Sequence, residues 1–361
     1  MVDFSVAIRL YNGASVLPKI LDALSAQIIT GPISWEIIII DNNSVDRTAN
    51  IVDDYQQRWT ACPLNYVLEP RQGASFARRR AIVEANGTWI GFLDDDNIPD
   101  LHWVQAAYDF GTLHPQAAAF GSQIHPRYET TPPANFERIA PFIPVVERDE
   151  IVCFTTGWRA MSNLVPPGAG LVILRQAWLD YVPSSLTLRG PVGDSLSGKG
   201  EDVEALLYLK KAGWEIWFNP LMHIEHQIPS WRFERAYLQR FFHGIGLSKY
   251  ATRMVGIPLW KRPLLVLLFM GNDGRKLLLH LLKHYRHLKQ DVVSAAELQL
   301  LISSFLSPFY AWQQGLMGTG HGDDTSLAPR SSIDLDKQNE LATELEKKTV
   351  LPPHAHGSNL S

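Results

Sequence analysis

Cysteine is nearly absent from this chain, with two residues in 361, Cys62 and Cys153. That excludes a disulfide scaffold and a thiolate zinc cluster, and it fits a reducing compartment. No run of about 18 consecutive apolar residues occurs, so a conventional membrane span is not expected. The longest apolar run near the C-terminus, Pro263 to Met270, is too short. The opening Met-Val-Asp-Phe lacks a basic segment followed by an apolar stretch and a cleavage site, so no secretory leader is expected. Nor is there an excess of one charge: 33 Lys+Arg stand against 37 Asp+Glu, a net −4. No basic field therefore points to nucleic acid.

What is present is the composition of an ordinary globular protein, 46% hydrophobic and 19% charged. At roughly 150 residues per domain the length suggests two units. Phe4–Leu10 and Glu36–Asp41 read as strands, the second apolar on both faces as a central parallel strand is. Leu64–Leu68 and Trp89–Leu93 read as two more. Helical spacing lies between them over Ala14–Gln27, from about Val45, and over Ala74–Ala85. This rhythm predicts an α/β fold, a Rossmann-type, mostly parallel sheet flanked by helices, with ligands beyond the carboxyl ends of the strands. A helix over Leu101–His114, a proline-rich irregular stretch over Pro126–Pro144, a strand over Ala169–Leu174, a helix over Asp202–Ala212 and a strand over Trp214–Asn219 follow.

Two acidic clusters carry the chemistry. Asp94-Asp95-Asp96 ends the fourth strand, where three carboxylates repel one another unless a cation compensates. Hard oxygen ligands suit Mg²⁺ or Mn²⁺ on a diphosphate; the plainer reading is an acidic turn that caps the next helix. Glu201 and Asp202 open a helix behind a glycine- and serine-rich loop, Gly190–Lys199, as a general base or an N-cap. Gly168-Ala169-Gly170 allows close approach of a ligand to backbone. Arg78, within Arg78-Arg79-Arg80, can face a phosphate or simply be solvated, and His226 can supply a metal or phosphate contact or be structural.

The order of these features resembles family 2 glycosyltransferases of the GT-A fold. The resemblance rests on Ser5-Val-Ala-Ile with Tyr11-Asn12, on Glu36 to Asp41-Asn-Asn43-Ser-Val-Asp46-Arg-Thr48, and on Arg71-Gln-Gly73 with Ala77-Arg78. Phe92-Leu-Asp94-Asp95-Asp96-Asn-Ile-Pro99 and Gly200-Glu201-Asp202 complete it, over roughly residues 3–245. It implies nucleotide contacts at Asn12, Asp41, Asn43, Arg78, Asp94 and Asp95. It implies a cation, Mg²⁺ or Mn²⁺, at Asp96 and Asp94, with His226 as a further ligand. Asp202 would be the catalytic base with Glu201 beside it, and Gly168, Ala169 and Gly170 would lie on the acceptor side. Arg9-Leu10 stands where the family usually has proline and threonine. Gln-x-x-Arg-Trp of processive synthases is missing, so an inverting, single-sugar transfer from a UDP-sugar to a glycan or lipid-linked acceptor is expected. A phosphohydrolase, which would carry its Asp-x-Asp on the first strand, and a non-catalytic nucleotide-sugar-binding scaffold are the alternatives.

The expected organisation is a catalytic domain over 1–245, a leucine-rich helical C-terminal extension over 246–317 and a disordered tail over 318–361. Arg275–Lys289 reads as a basic amphipathic helix, with leucines at helical spacing, Lys276, Lys283, Arg286 and Lys289 mostly elsewhere, and no acid. Such a helix lies on an anionic membrane surface or packs on the catalytic domain. The expected location is cytoplasmic, peripheral on the membrane face.

Overall fold

The structure, a computed structural model, describes residues 2–156, 159, 162–190 and 198–315. The tail expected over 318–361 and most of the Gly190–Lys199 loop lie outside these residues. Strand β1 (Val2–Leu10) pairs in parallel with β2 (Trp35–Asp41) on one side and β4 (Gly87–Asp94) on the other, and β3 (Leu64–Leu68) lies beyond β2. Helices α1 (Leu17–Ser25), α2 (Thr48–Arg58) and α3 (Ala74–Glu84) make the crossovers. Every residue of β2 is buried, which is why its isoleucine run shows no alternation. The register sets Arg9 opposite Asp94 and Leu10 opposite Asp41, so the carboxyl ends of three strands form one rim.

Past β4 the sheet continues through β8 (Val172–Leu174), β6 (Ala117–Tyr128), β9 (Glu215–Ile228) and β5 (Asn97–Pro99). The order is β3-β2-β1-β4-β8-β6-β9-β5, with β7 (Val152–Cys153) on β9. Most of the ladder is parallel, β6 with β9 included, while β8 and β5 run antiparallel to their neighbours. Helices α4 (Trp103–Leu113), α5 (Arg175–Tyr181) and α6 (Glu201–Lys211) cover its faces.

Several expected boundaries move. Strand β8 starts three residues later than Ala169, because Gly170 has φ +62°, a left-handed conformation that a strand does not hold. Strand β6 runs on through Pro126, where the sequence suggested irregular chain. The Ile124 N–H points away from β9 to the Val146 carbonyl, and Pro126, two residues on, turns its missing donor to that same open side. Strand β9 extends nine residues past Asn219, carrying His223 and His226 within the sheet.

Helices α7 (Arg235–Leu247), α8 (Lys249–Met254), α9 (Arg262–His284) and α10 (Val292–Gln313) form the C-terminal part. A second core joins α7 and α10 to Phe136, Ile139 and Ile228, so it straddles the boundary expected near residue 245. Small residues permit this contact, with Gly246 set against Ser303 and the Leu300 carbonyl. The basic helix expected over Arg275–Lys289 is met only as far as His284, where α9 ends; α9 begins thirteen residues before Arg275, and Arg286 and Lys289 lie in the turns that follow it.

Candidate active site

A cleft of about 920 Å³ opens beyond the carboxyl ends of β1 and β4, within the range of small-molecule sites. Arg9 and Asp94–Asp96 form its floor, Arg78 of α3 and Gly168–Ala169 one wall, and Lys199 with the first turn of α6 another. The long stem of Lys249 and the rings of Phe142 and Phe241 close the far side.

The floor is a buried cluster of opposite charges. Arg9 pairs with Asp94, and its Nη1 lies 3.8 Å from Glu201 Oε1. Burial works against the Arg9 charge, but Asp94, Glu201 and Asp202 outweigh it and hold the guanidinium pKa up. Arg78 is 1% exposed and stacks 4.6 Å from the Phe92 ring. Burial, then repulsion from Arg9, pushes its pKa down to about 10. Its Nε and Nη1 have no hydrogen-bond partner, so a buried cation offers two unused donors at the cleft. An anion such as a phosphate answers both needs. Glu201 is buried, and burial followed by repulsion from Asp202 raises its pKa. Asp202 lies against Gly168: a Cβ there would sit 2.5 Å from Asp202 Oδ2 and 3.0 Å from Arg78 Nη2. Only glycine lets these groups approach so closely.

At the other end of the acidic run, Asp96 Oδ2 accepts from Arg232 Nη2 at 2.7 Å and lies 3.2 Å from His226 Nε2. Burial acts to raise Asp96, yet His226 and Arg232 hold its carboxyl well below the usual range. Burial, then Asp96 and Asp94, pushes Asp95 up to about 7. His226 Nδ1 lies 2.9 Å from the Pro144 carbonyl, which holds the ring with Nε2 toward Asp96; release of the Nε2 proton would free a lone pair there for a metal ion. An imidazole nitrogen and a carboxylate oxygen then converge, bridged by Arg232, whose Nη1 is 3.0 Å from Nε2. That donor set fits Mg²⁺ or Mn²⁺. Among the described residues no group of three or more metal-ligating side chains occurs, so the remaining ligands would be phosphate oxygens and water.

Residues 5–166 match the family model of glycosyl transferase family 2. This segment belongs to that family. The putative teichuronic acid biosynthesis glycosyltransferase TuaG of Bacillus subtilis is 38% identical over 63 residues, 18% of this chain and 25% of TuaG. The poly(ribitol-phosphate) beta-glucosyltransferase of Bacillus spizizenii is 26% identical over 160 residues, 43% of this chain and 24% of that protein. The chain thus spans about a quarter of the length of these curated relatives. Among solved structures, the mannosyltransferase PcManGT of Pyrobaculum calidifontis, in complex with GDP-Man and Mn²⁺, matches with a TM-score of 0.53 at 14% identity. It covers 85% of this chain and 87% of its own, and shows a shared GT-A fold.

The glycosyltransferase motifs do not all reach the cleft. Arg78, Asp94, Asp95, Asp96, Gly168, Ala169, Glu201 and Asp202 line it, and His226 stands behind Asp96. Asp41 is held by the Ser44 N–H at 2.8 Å and the Tyr66 hydroxyl at 2.6 Å. Asn12 and Asn43 both have positive φ, and Asn12 ties its turn to the next through Val45 and Ser44. These three order the two turns at the rim and do not line the cleft. Gly170 is also outside it, packed on Ser122 and Ile224.

Four residues escaped the sequence reading. Asn42, beside Asn43, donates to the Glu69 and Arg71 carbonyls and accepts from the Gly73 N–H, pinning the start of α3 to the rim. Arg9 showed itself only as a departure from the family pattern. Arg232 and Lys199 carried no signal, because their contacts join distant parts of the chain. Lys199, its pKa lowered by burial, stacks over Phe241 at the cleft.

Proposed function

We propose that this glycosyltransferase moves one sugar, with inversion, from a nucleotide diphosphate donor to a hydroxyl of an envelope glycan or lipid-linked acceptor. The observation that carries the reading is the Asp202 carboxylate opening into the same cleft as the Asp94–Asp96 rim, with Arg78 between them. The donor's diphosphate belongs against Arg78 and its unused donors. A cation bound at Asp96 and His226 would neutralise charge on the leaving diphosphate. Arg9 is the cation shared by the carboxylates at this end of the cleft, paired with Asp94 and 3.8 Å from Glu201. An acceptor hydroxyl is too weakly acidic to attack unaided, and Asp202 takes its proton as the bond to the anomeric carbon forms. Attack from the side opposite the diphosphate inverts that centre.

The relatives named for teichuronic acid and poly(ribitol phosphate) support an envelope polymer as the acceptor class. UDP-sugars are the first donors to test. The cytoplasmic face of the membrane is the location that fits such a donor. In the presence of Mn²⁺, a cognate nucleotide sugar should raise the melting temperature and be slowly hydrolysed. Asp202→Asn should keep that stabilisation while hydrolysis and transfer fall by about 10²-fold or more. Undiminished turnover in Asp202→Asn would remove the carboxylate from its role as base.

A further inference from the structure

Helix α9 turns an apolar stripe outward. Leu264, Leu267, Leu268, Leu278, Leu279 and Leu282 recur at helical spacing, and each is between 52% and 69% exposed. The sequence alone showed that a face existed; the structure shows that the fold leaves it uncovered, with Asp273 the only buried residue of the helix. Phe305 of α10 lies beside Gly274, Ala311 packs near Leu265, and His280 bonds to the Ser294 carbonyl, so the two helices run antiparallel. That brings Trp312, 71% exposed, to the end that carries Trp260, 77% exposed. Phe309 adds to the same end. A contiguous apolar surface of this kind marks an interaction site.

Lys261, Arg262, Arg275, Lys276, Lys283 and Arg286 accompany the leucines, and the sole acid between residues 259 and 290 is Asp273. Asp273 is consumed by a bidentate pair with Arg253 of α8 at 2.5 and 2.9 Å. The face is therefore apolar and uniformly basic. A two-fold contact would set this face against its own copy and oppose its cations, which is costly. An anionic lipid surface satisfies leucines and cations together, and tryptophans favour the membrane–water boundary. Helix α10 is long and apolar enough to cross a bilayer by length and composition, but half of that stretch is buried against the fold.

We infer that the α9 stripe and the Trp260–Trp312 end form an in-plane anchor on an anionic membrane. The short helix α8 joins this anchor to the chemistry. Lys249 and Thr252 line the cleft, while Tyr250 and Met254 pack on Leu265, Val266 and Phe269 of α9. The cleft wall and the lipid-facing helix are thus two sides of one element. Resting on the transferase reading, this makes the acceptor a membrane-anchored one; the anchor itself stands without that reading.

The test is sedimentation of the full chain with phosphatidylcholine vesicles, with and without phosphatidylglycerol. The chain should sediment with the anionic vesicles and remain in solution with phosphatidylcholine alone. The triple variant Leu267→Gln/Leu268→Gln/Leu279→Gln should bind about tenfold more weakly or worse, since each leucine loses apolar burial. Lys276→Gln/Lys283→Gln/Arg286→Gln should also bind more weakly, with a smaller salt dependence than wild type. Both variants should melt as wild type, because the changed side chains are mostly in water. Failure of the chain to sediment with anionic vesicles at low salt would overturn the anchor, as would binding unaffected by the leucine changes. A wild-type dimer that the leucine variant splits, with no vesicle binding, would assign the face to a second copy and overturn it too. Vesicle binding without turnover of any nucleotide sugar would support the anchor and overturn the transferase reading alone.

Discussion

Replacing Arg9 by methionine keeps the stem and removes the guanidinium that three carboxylates share. The side chains of Arg9 and Glu201 are 9% and 8% exposed, and Asp94 is 34% exposed. At 3.8 Å, a unit pair in an effective dielectric of about 20 is worth roughly 4 kcal/mol. Asp94 contributes less because water screens it. Against this, the variant no longer desolvates a guanidinium, and Arg78 still faces Glu201 and Asp202. A net loss of about 2–4 kcal/mol follows, as for one-sided removal of a buried pair. That corresponds to a melting temperature lower by roughly 5–10 °C at pH 8.

The pH dependence separates this cause from lost packing. Glu201 has its pKa raised above the ordinary 4.5, and loss of Arg9 raises it further. Between the unfolded and folded values the native state holds a proton that the unfolded chain has released, so stability falls as pH rises through that window. The penalty should be smaller near pH 5 than at pH 8. Scanning calorimetry of wild type and Arg9→Met at the two pH values is the assay. Melting within about 1 °C of wild type at pH 8, or an equal loss at both pH values, would refute the electrostatic account.

Arg232→Gln removes the cation that bridges Asp96 and His226, so Mn²⁺ binding to the protein alone should tighten by about tenfold; paramagnetic resonance titration reads this, and weaker binding would show that Arg232 supports the site. Gly170→Ala puts a Cβ 2.6 Å from Ser122 Oγ at a φ of +62°, and should cost roughly 2–4 kcal/mol of stability. Gly168→Ala should instead depress turnover through Asp202, with melting little changed; the reverse pattern in activity and melting assays would contradict both placements. Cys62, whose thiol burial pushes up to about 12, should resist iodoacetamide at pH 8 and react faster at higher pH, because the thiolate is the nucleophile. Rapid native labelling of Cys62, mapped by peptide mass, would contradict that.

The sequence by itself determined the four parallel strands β1 to β4, their helices and the acidic rim. Buried parallel strands are continuous apolar runs, and the polar residues that end them mark where a ligand can sit. The motif order of Asp94–Asp96, Arg78 and Gly200-Glu201-Asp202 was legible for the same local reason. Tertiary structure decided which of these side chains meet. Arg9 reaches Asp94 across 85 residues, and Arg232 reaches Asp96 across 136. The hydrogen bond from Tyr66, on the neighbouring strand, to the Asp41 carboxylate likewise joins residues 25 apart in the chain. Gly170 looked like open backbone until Ser122 and Ile224 were found against it. Helical spacing disclosed an apolar face on α9, but spacing is a property of one helix, and whether that face meets protein or water depends on what the rest of the chain packs against it.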